Sequence, residues 1–456
     1  MEINCFFVLF IINIYSMTYN ILIPSMKVFM VIHIIKSGET IQSIANYYGL
    51  SVERLIQDNG LDAPYNLAIG QSIVITYPAI TYTVKEGDTL ESISNYYNVS
   101  IIQLLANNQY LSDREYLYPG DIIVISYDKK GKITTHGNTV PTIDRTTLRK
   151  TLPYLSYLSI LNYTVSTEGG IISYYDDTEI IQLSKAYGVA PLMLLTTLTI
   201  QGEANFRVAF DLLLNEDFQN KQIENILDIL KTKGYYGLNI SIEYISLSNI
   251  KFYDNYFTKV TNRLNEEGYQ VFVTINPNIS VVNDEVTFQR VDYSLINQLA
   301  QNIIFMSYEW AFNINPPSPV TSLYNTEVFL NYILNFISSE KIIIGLATIG
   351  YDWELPYVSG ISNVNYISFK NCSELAYNYG AIINFDEASQ TPYFTYTSNE
   401  ALNHIVWFID SRTINATLDL ISNYNLKGFS IWNITIFNQQ LWLIVNSQYD
   451  IEKIIF

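Results

Sequence analysis

The stretch "HIIKSGETIQSIANYYGLSVERLIQDNG" (33–60) returns as "YTVKEGDTLESISNYYNVSIIQLLANNQ" (82–109). The two match at a constant offset of 49 residues, Gly38 with Gly87, Thr40 with Thr89, Ile44 with Ile93, Tyr48 with Tyr97, Leu55 with Leu104 and Asn59 with Asn108. A repeat of that length is a whole supersecondary unit, so it constrains the first part of the chain more than any composition does. Each copy starts with an apolar run, turns through Gly-acid-Thr and closes on a Gly followed by apolar residues, "AIGQSIVITY" and "YPGDIIVISY". Thr40 and Thr89 stand where a side-chain oxygen can cap a helix, and Ile41, Ile44 and Ala45 then share one helical face. The spacing predicts a βααβ unit in each copy, over 31–77 and 80–127.

Residues 128–152 are polar, locally basic and broken by Gly and Pro, which predicts a linker and the entry to a new domain over 153–456. There, apolar runs alternate with helical patterns, at 154–161, 171–175, 190–198, 237–245, 269–277, 302–310, 341–353 and 428–434. Eight such runs predict the α/β class and a (β/α)8 TIM barrel, with a small α+β insertion over about 360–410.

With a formal charge of −18 the surface repels phosphate backbones and anionic lipid, which argues against nucleic-acid partners. Cys5 and Cys372 are far apart, and His33, His136 and His404 have no ligand spacing, so neither a disulfide framework nor a metal site is expected. The 38 tyrosines supply packing and rings that can stack on sugars. Residues 1–30 have three readings: a degenerate signal peptide, an anchor too short for a firm membrane span, or a start at Met30.

In such a barrel the strand C-termini form the working mouth. Alternation turns Asn239, Ser241 and Glu243 inward on the fourth strand; Asn276, Tyr308, Glu309, Tyr351, Asp352 and Trp432 stand at or past the ends of others. Inward polar residues are costly unless used or paired.

The repeats resemble the lysin motif, a module that binds N-acetylglucosamine-containing glycans. The resemblance implies a glycan-binding face that includes Gly38, Thr40, Gly87, Asp88 and Thr89. "GYYGLNISIEY" resembles the signature strand of family 18 glycoside hydrolases, Asp-x-x-Asp-x-Asp-x-Glu. With "APLMLLTTL", "FMSYEW", "GYDWELPYV", "QTPYFTY" and "GFSIW" following in order, the chain from about residue 31 resembles bacterial spore-cortex-lytic N-acetylglucosaminidases. That resemblance implies a hydrolase of peptidoglycan that needs no cofactor, located at the spore surface or cell wall. It implies Glu243 as general acid and base, Tyr308 holding the substrate's own acetamido nucleophile, and Trp432 as the floor beneath the sugar. Asn239, Ser241, Asn276, Glu309 and Tyr351 complete the expected substrate contacts. The family's other three acids align with Tyr236, Asn239 and Ser241. Ser241 thus replaces the acid that would balance positive charge on the intermediate. Two functions follow: a hydrolase of reduced activity, or a wall-binding protein whose barrel no longer cuts.

Overall fold

The computed structural model describes residues 30–114, 116–197, 205–242, 250–277, 279–282, 285–306, 316–362 and 364–456. Each repeat is a βααβ unit. In the first, β1 (Met30–Ile34) pairs antiparallel with β2 (Ser72–Thr76) across the helices Ile41–Tyr48 and Val52–Asn59. In the second, β3 (Ile80–Thr83) pairs with β4 (Ile122–Ser126) across Leu90–Tyr97 and Ile101–Asn107. Thr40 and Thr89 cap the first helices through their hydroxyls, which accept from the N–H of Ser43 and Ser92 at 3.1 and 3.0 Å. The serine hydroxyls reciprocate by accepting from the threonine N–H groups, so two orphan donors are satisfied at each helix start. The matched Asn59 and Asn108 are buried staples: Asn59 donates to Leu55 O and Val74 O and accepts from Val74 N–H, and Asn108 does the same with Leu104 and Val124.

After the repeats come β5 (Gly131–Thr139), β6 (Tyr157–Val165), a short β7 (Ile171–Ser173), β8 (Ala190–Thr196), β9 (Gly237–Ile242) and β10 (Gln270–Ile275). A hairpin of β11 (Ser280–Val282) and β12 (Glu285–Thr287) leads to β13 (Asn302–Phe305) and β14 (Ile342–Ala347). An inserted sheet follows, made of β15 (Ile349–Leu355), β16 (Val364–Ser368), β17 (Asn384–Asp386), β18 (Thr391–Thr397) and β19 (Asn403–Trp407). The chain ends with β20 (Gly428–Trp432), the helix Gln439–Gln448 and β21 (Tyr449–Ile451). Eight parallel strands, in the order β5, β20, β14, β13, β10, β9, β8, β6, close through the β5–β6 pairing into the expected barrel. Outward residues such as Leu238, Val271, Val273, Ile303 and Ile344 enter one large apolar layer beneath the helices. Leu192, Phe272, Ile304 and Ile343 belong to a separate cluster that fills the interior.

Three sequence expectations are corrected. The stretch 128–152 contains the first barrel strand, β5, followed by the helix Arg145–Thr151, so it is no free linker. It reads as loop because Thr134, His136 and Asn138 face a polar barrel interior. The run at 171–175 is instead β7, which adds antiparallel to the end of β6 and lies outside the closed ring. The seventh run, 341–353, divides after Ala347: its first half is β14 and its second half is β15, so the insertion starts at 349 rather than about 360.

The repeats sit directly on the barrel. Gln440 to Gln448 are buried, with Trp442 stacked on Tyr154 at 5.2 Å. Buried amides must find partners. Gln440 Nε2 donates to Asn59 Oδ1 and Ser72 O, both at 3.0 Å, in the first repeat; Asn446 Nδ2 donates to Ala106 O at 3.1 Å and Asn107 Oδ1 at 2.8 Å in the second.

Candidate active site

Five inward side chains form a hydrogen-bonded chain through the barrel. Ser430 on β20 lies 2.8 Å from His136 Nδ1 on β5, and His136 Nε2 lies 2.7 Å from Ser159 Oγ on β6. Asn239 on β9 donates to Ser159 Oγ at 3.0 Å and accepts from the Thr274 hydroxyl on β10 at 3.0 Å. Asn138 adds bonds to Ser430 Oγ and Ile431 O at 3.3 and 3.0 Å. His136, Ser159, Ser430 and Asn239 have no exposed surface. Burial pulls the His136 pKa down to about 3, so its ring is neutral at physiological pH and can donate from one nitrogen while accepting at the other. Each bond contributes about 1 kcal/mol net, whereas stripping one partner strands a buried polar group at about 1–3 kcal/mol. The layer is therefore held as a unit.

Asn239 thus occupies the inward position expected from β-alternation, anchored on both sides. Ser241 is next along the same face, half-buried and opposite Thr274 in register. Asn276 follows the end of β10 at the period of Phe272 and Thr274 and is also half-buried. Trp432 is the last residue of β20, half-buried; its carbonyl accepts from the Thr348 hydroxyl at 3.3 Å, and the Trp432–Asn433 bond is cis. Glu243, Tyr308 and Glu309 lie outside the described residues. So does most of the segment 1–30, of which Met30 is the one described residue.

Tyr351 is carried by the inserted sheet, not by a barrel strand. Its register row continues through Trp407 to Tyr393 on one side and to Tyr366 on the other, with Tyr393 and Trp407 stacked at 4.5 Å. Tyr351 and Trp353 pack in the same apolar cluster as Phe272 and Met306, with Trp432 against it, so this face of the insertion borders the barrel mouth. Asp352 points the other way. Its carboxylate accepts from the Tyr396 hydroxyl at 2.7 Å and lies 3.0 Å from His404 Nδ1, on the face that packs against the helix Phe369–Asn378.

In the repeats, the side chains expected to meet glycan serve the turns themselves. Thr40 and Thr89 are caps, and Asp88 accepts from Lys85 N–H at 2.7 Å and from the Tyr82 hydroxyl at 2.8 Å. Gly38 and Gly87 adopt positive φ, with open space where a Cβ would stand, so the backbone there is approachable.

Sequence reading missed His136, Ser159 and Thr274. The available signal was the alternation Thr134, His136, Asn138 in "KITTHGNT", a strand with one polar face. Among the described residues no cluster of His, Cys, Asp or Glu could hold a metal ion, and no helix is long and apolar enough to cross a membrane.

The profile of the family described as Glycosyl hydrolases family 18 matches residues 192–436, and that of the LysM domain matches 33–76 and 82–126. The cortical fragment-lytic enzyme of Bacillus subtilis is 28% identical over 429 residues, which cover 93% of this chain and 99% of that protein. The enzyme of the same description from Bacillus cereus is 27% identical over 92% of this chain and 98% of its own length. The crystal structure of the spore cortex-lytic enzyme SleL from Bacillus megaterium QM B1551 superposes with a TM-score of 0.76 at 29% identity, covering 94% of this chain and all of that one.

Proposed function

We propose, for a chain that belongs to glycosyl hydrolases family 18, that it hydrolyses β-linked N-acetylglucosaminyl bonds in peptidoglycan, with spore cortex as its source, by substrate-assisted retaining catalysis. The chain is a glycoside hydrolase with two LysM domains. One observation supports this reading: β9 turns Asn239 into the barrel and fixes it on Ser159 and Thr274, and the alternation of the signature sequence assigns Ser241 and Glu243 to the same face.

In this reading Glu243 gives its proton to the departing glycosidic oxygen while the substrate's acetamido oxygen attacks the anomeric carbon. The C–O bond breaks, a cyclic oxazolinium forms, and the Glu243 carboxylate takes a proton from the water that opens it. Tyr308 orients the acetamido group and Trp432 stacks on the pyranose face. Asn276, Glu309 and Tyr351 complete the pocket. Ser241 can accept the acetamido N–H bond but adds no negative charge, and Asn239 beneath it is neutral too. Loss of such a transition-state contact costs about 10² to 10³ in rate. Glycan binding by the lysin-motif region sets the work of the protein at the cell wall or spore.

The neutral pair Asn239 and Ser241 favours one second reading, a barrel that binds glycan without cutting it. Incubation with spore-cortex muropeptides and chitooligosaccharides separates the two. Hydrolysis by the native chain that Glu243→Gln abolishes supports the enzyme; binding without cleavage by either overturns it.

A further inference from the structure

The two repeats share a pattern but not surroundings. Their closing segments, 68–77 and 118–127, align on Gly70 and Gly120. Both glycines have positive φ, and their N–H groups donate to equivalent carbonyls, Ile35 O at 2.9 Å and Val84 O at 2.8 Å. Each closing loop therefore lies beside the Gly-acid-Thr turn of its own repeat.

In the first repeat that loop is docked. Ala68 is buried in the apolar core of the insertion, among Cys372, Ala376, Ile383 and Phe394. The Ile383 N–H donates to Ile69 O at 2.9 Å, the Arg412 guanidinium donates to Gly70 O at 3.2 Å, and Lys370 pairs with Asp62. A Cβ at Gly70 would stand 2.0 Å from Ile383 O. In the second repeat the position of Ala68 is taken by Tyr118, 58% exposed, and that of Asn66 by Tyr116, 71% exposed. A Cβ at Gly120 would meet nothing within 4 Å. The Tyr118 ring is braced: the Arg114 guanidinium lies 5.3 Å from its centre and is itself held by Asp121 at 2.8 Å.

We propose that the two repeats have divided their work. The second grips a neutral N-acetylglucosamine glycan through Tyr116 and Tyr118, rings that stack on sugar faces beside the turn 85–89. The first is a wedge that seats the insertion, whose other face carries Tyr351, Trp353 and Trp407 toward the barrel mouth. This rests on the glycan-binding reading of the lysin motifs given above.

The test uses the full chain carrying Glu243→Gln, so that the probe survives, with chitohexaose as ligand and hydrogen exchange as the readout. New protection is expected over 116–121. The double variant Tyr116→Ala/Tyr118→Ala should abolish it at an unchanged melting temperature and lower retention on insoluble peptidoglycan about tenfold. Asn66→Ala/Ile69→Ala should leave both readouts within about twofold, the range of an uninvolved surface change. Equal losses from the two double variants, or protection that survives the tyrosine changes, would overturn the division. Protection at the barrel strand ends with none in either repeat would overturn it and leave the barrel reading standing; no protection anywhere would remove the glycan reading beneath both.

Discussion

The imidazole of His136 is clamped between two hydroxyls from neighbouring strands, Ser159 Oγ at 2.7 Å and Ser430 Oγ at 2.8 Å. Its burial lowers the pKa from 6.5 to about 3. Between those values the unfolded chain takes up a proton that the native chain refuses. The stabilisation is complete above pH 6.5 and is lost progressively as pH falls toward 3, by up to a few kcal/mol. Melting temperature followed from pH 7 to pH 4 should fall steadily in the native chain. His136→Gln should start lower at pH 7 and show a shallower slope; parallel slopes would contradict the assignment.

In the proposed mechanism Ser241 lacks the charge that the oxazolinium calls for, so Ser241→Asp should raise kcat on chitooligosaccharides by about 10², while Glu243→Gln should lower it by at least about 10². Single-turnover rates measure both. A Ser241→Asp protein no faster than the native one would mean that the neutral row under the mouth is matched to a different transition state.

Trp432 stands at the end of β20 beside the aromatic face of the insertion. In its proposed role beneath the sugar Trp432 offers a stacking surface worth about 0.5–1.5 kcal/mol, so truncation to Ala should raise KM about two- to twelvefold. Steady-state kinetics on a short oligosaccharide would show this, and an unchanged KM would place the sugar elsewhere.

Asn59 and Asn108 close their repeats with three bonds each, and Asn59 also accepts from Gln440 of the barrel. Replacement by Ala strands buried backbone groups and should cost about 2–4 kcal/mol, more at Asn59 than at Asn108. Denaturant unfolding of the two variants gives the comparison. Equal midpoints to the native chain would rule out the staple.

How far the sequence could be read follows from where each signal originates. The repeats were legible because capping by Thr40 and Thr89, and the glycine turns at Gly38 and Gly87, are local chemistry that recurs in register. The strands β8, β10, β13 and β14 were legible as continuous apolar runs, since both their faces are covered. β5 was not: its His136 and Asn138 are satisfied by Ser159, Ser430 and Ile431 on neighbouring strands and its Thr134 by Glu452, an arrangement that depends on residues up to 318 positions away. The border between β14 and β15 was hidden too, for no Gly or Pro separates Ala347 from Ile349. At the mouth, Asn239 could be placed from alternation alone; alternation also sets Tyr351 and Asp352 on opposite faces, but which of those faces borders the barrel depends on how the inserted sheet packs.

The helix Gln439–Gln448 joins barrel and repeats through side-chain amides at both its ends, and that bears on how a long polymer would be handled. A flexible leash lets a blade wander over every bond within reach, whereas a bolted handle keeps one span between grip and cut. Lengthening the short connection near residue 128 should therefore change the pattern of products little, while cutting the amide bolts at Gln440 and Asn446 should blur it.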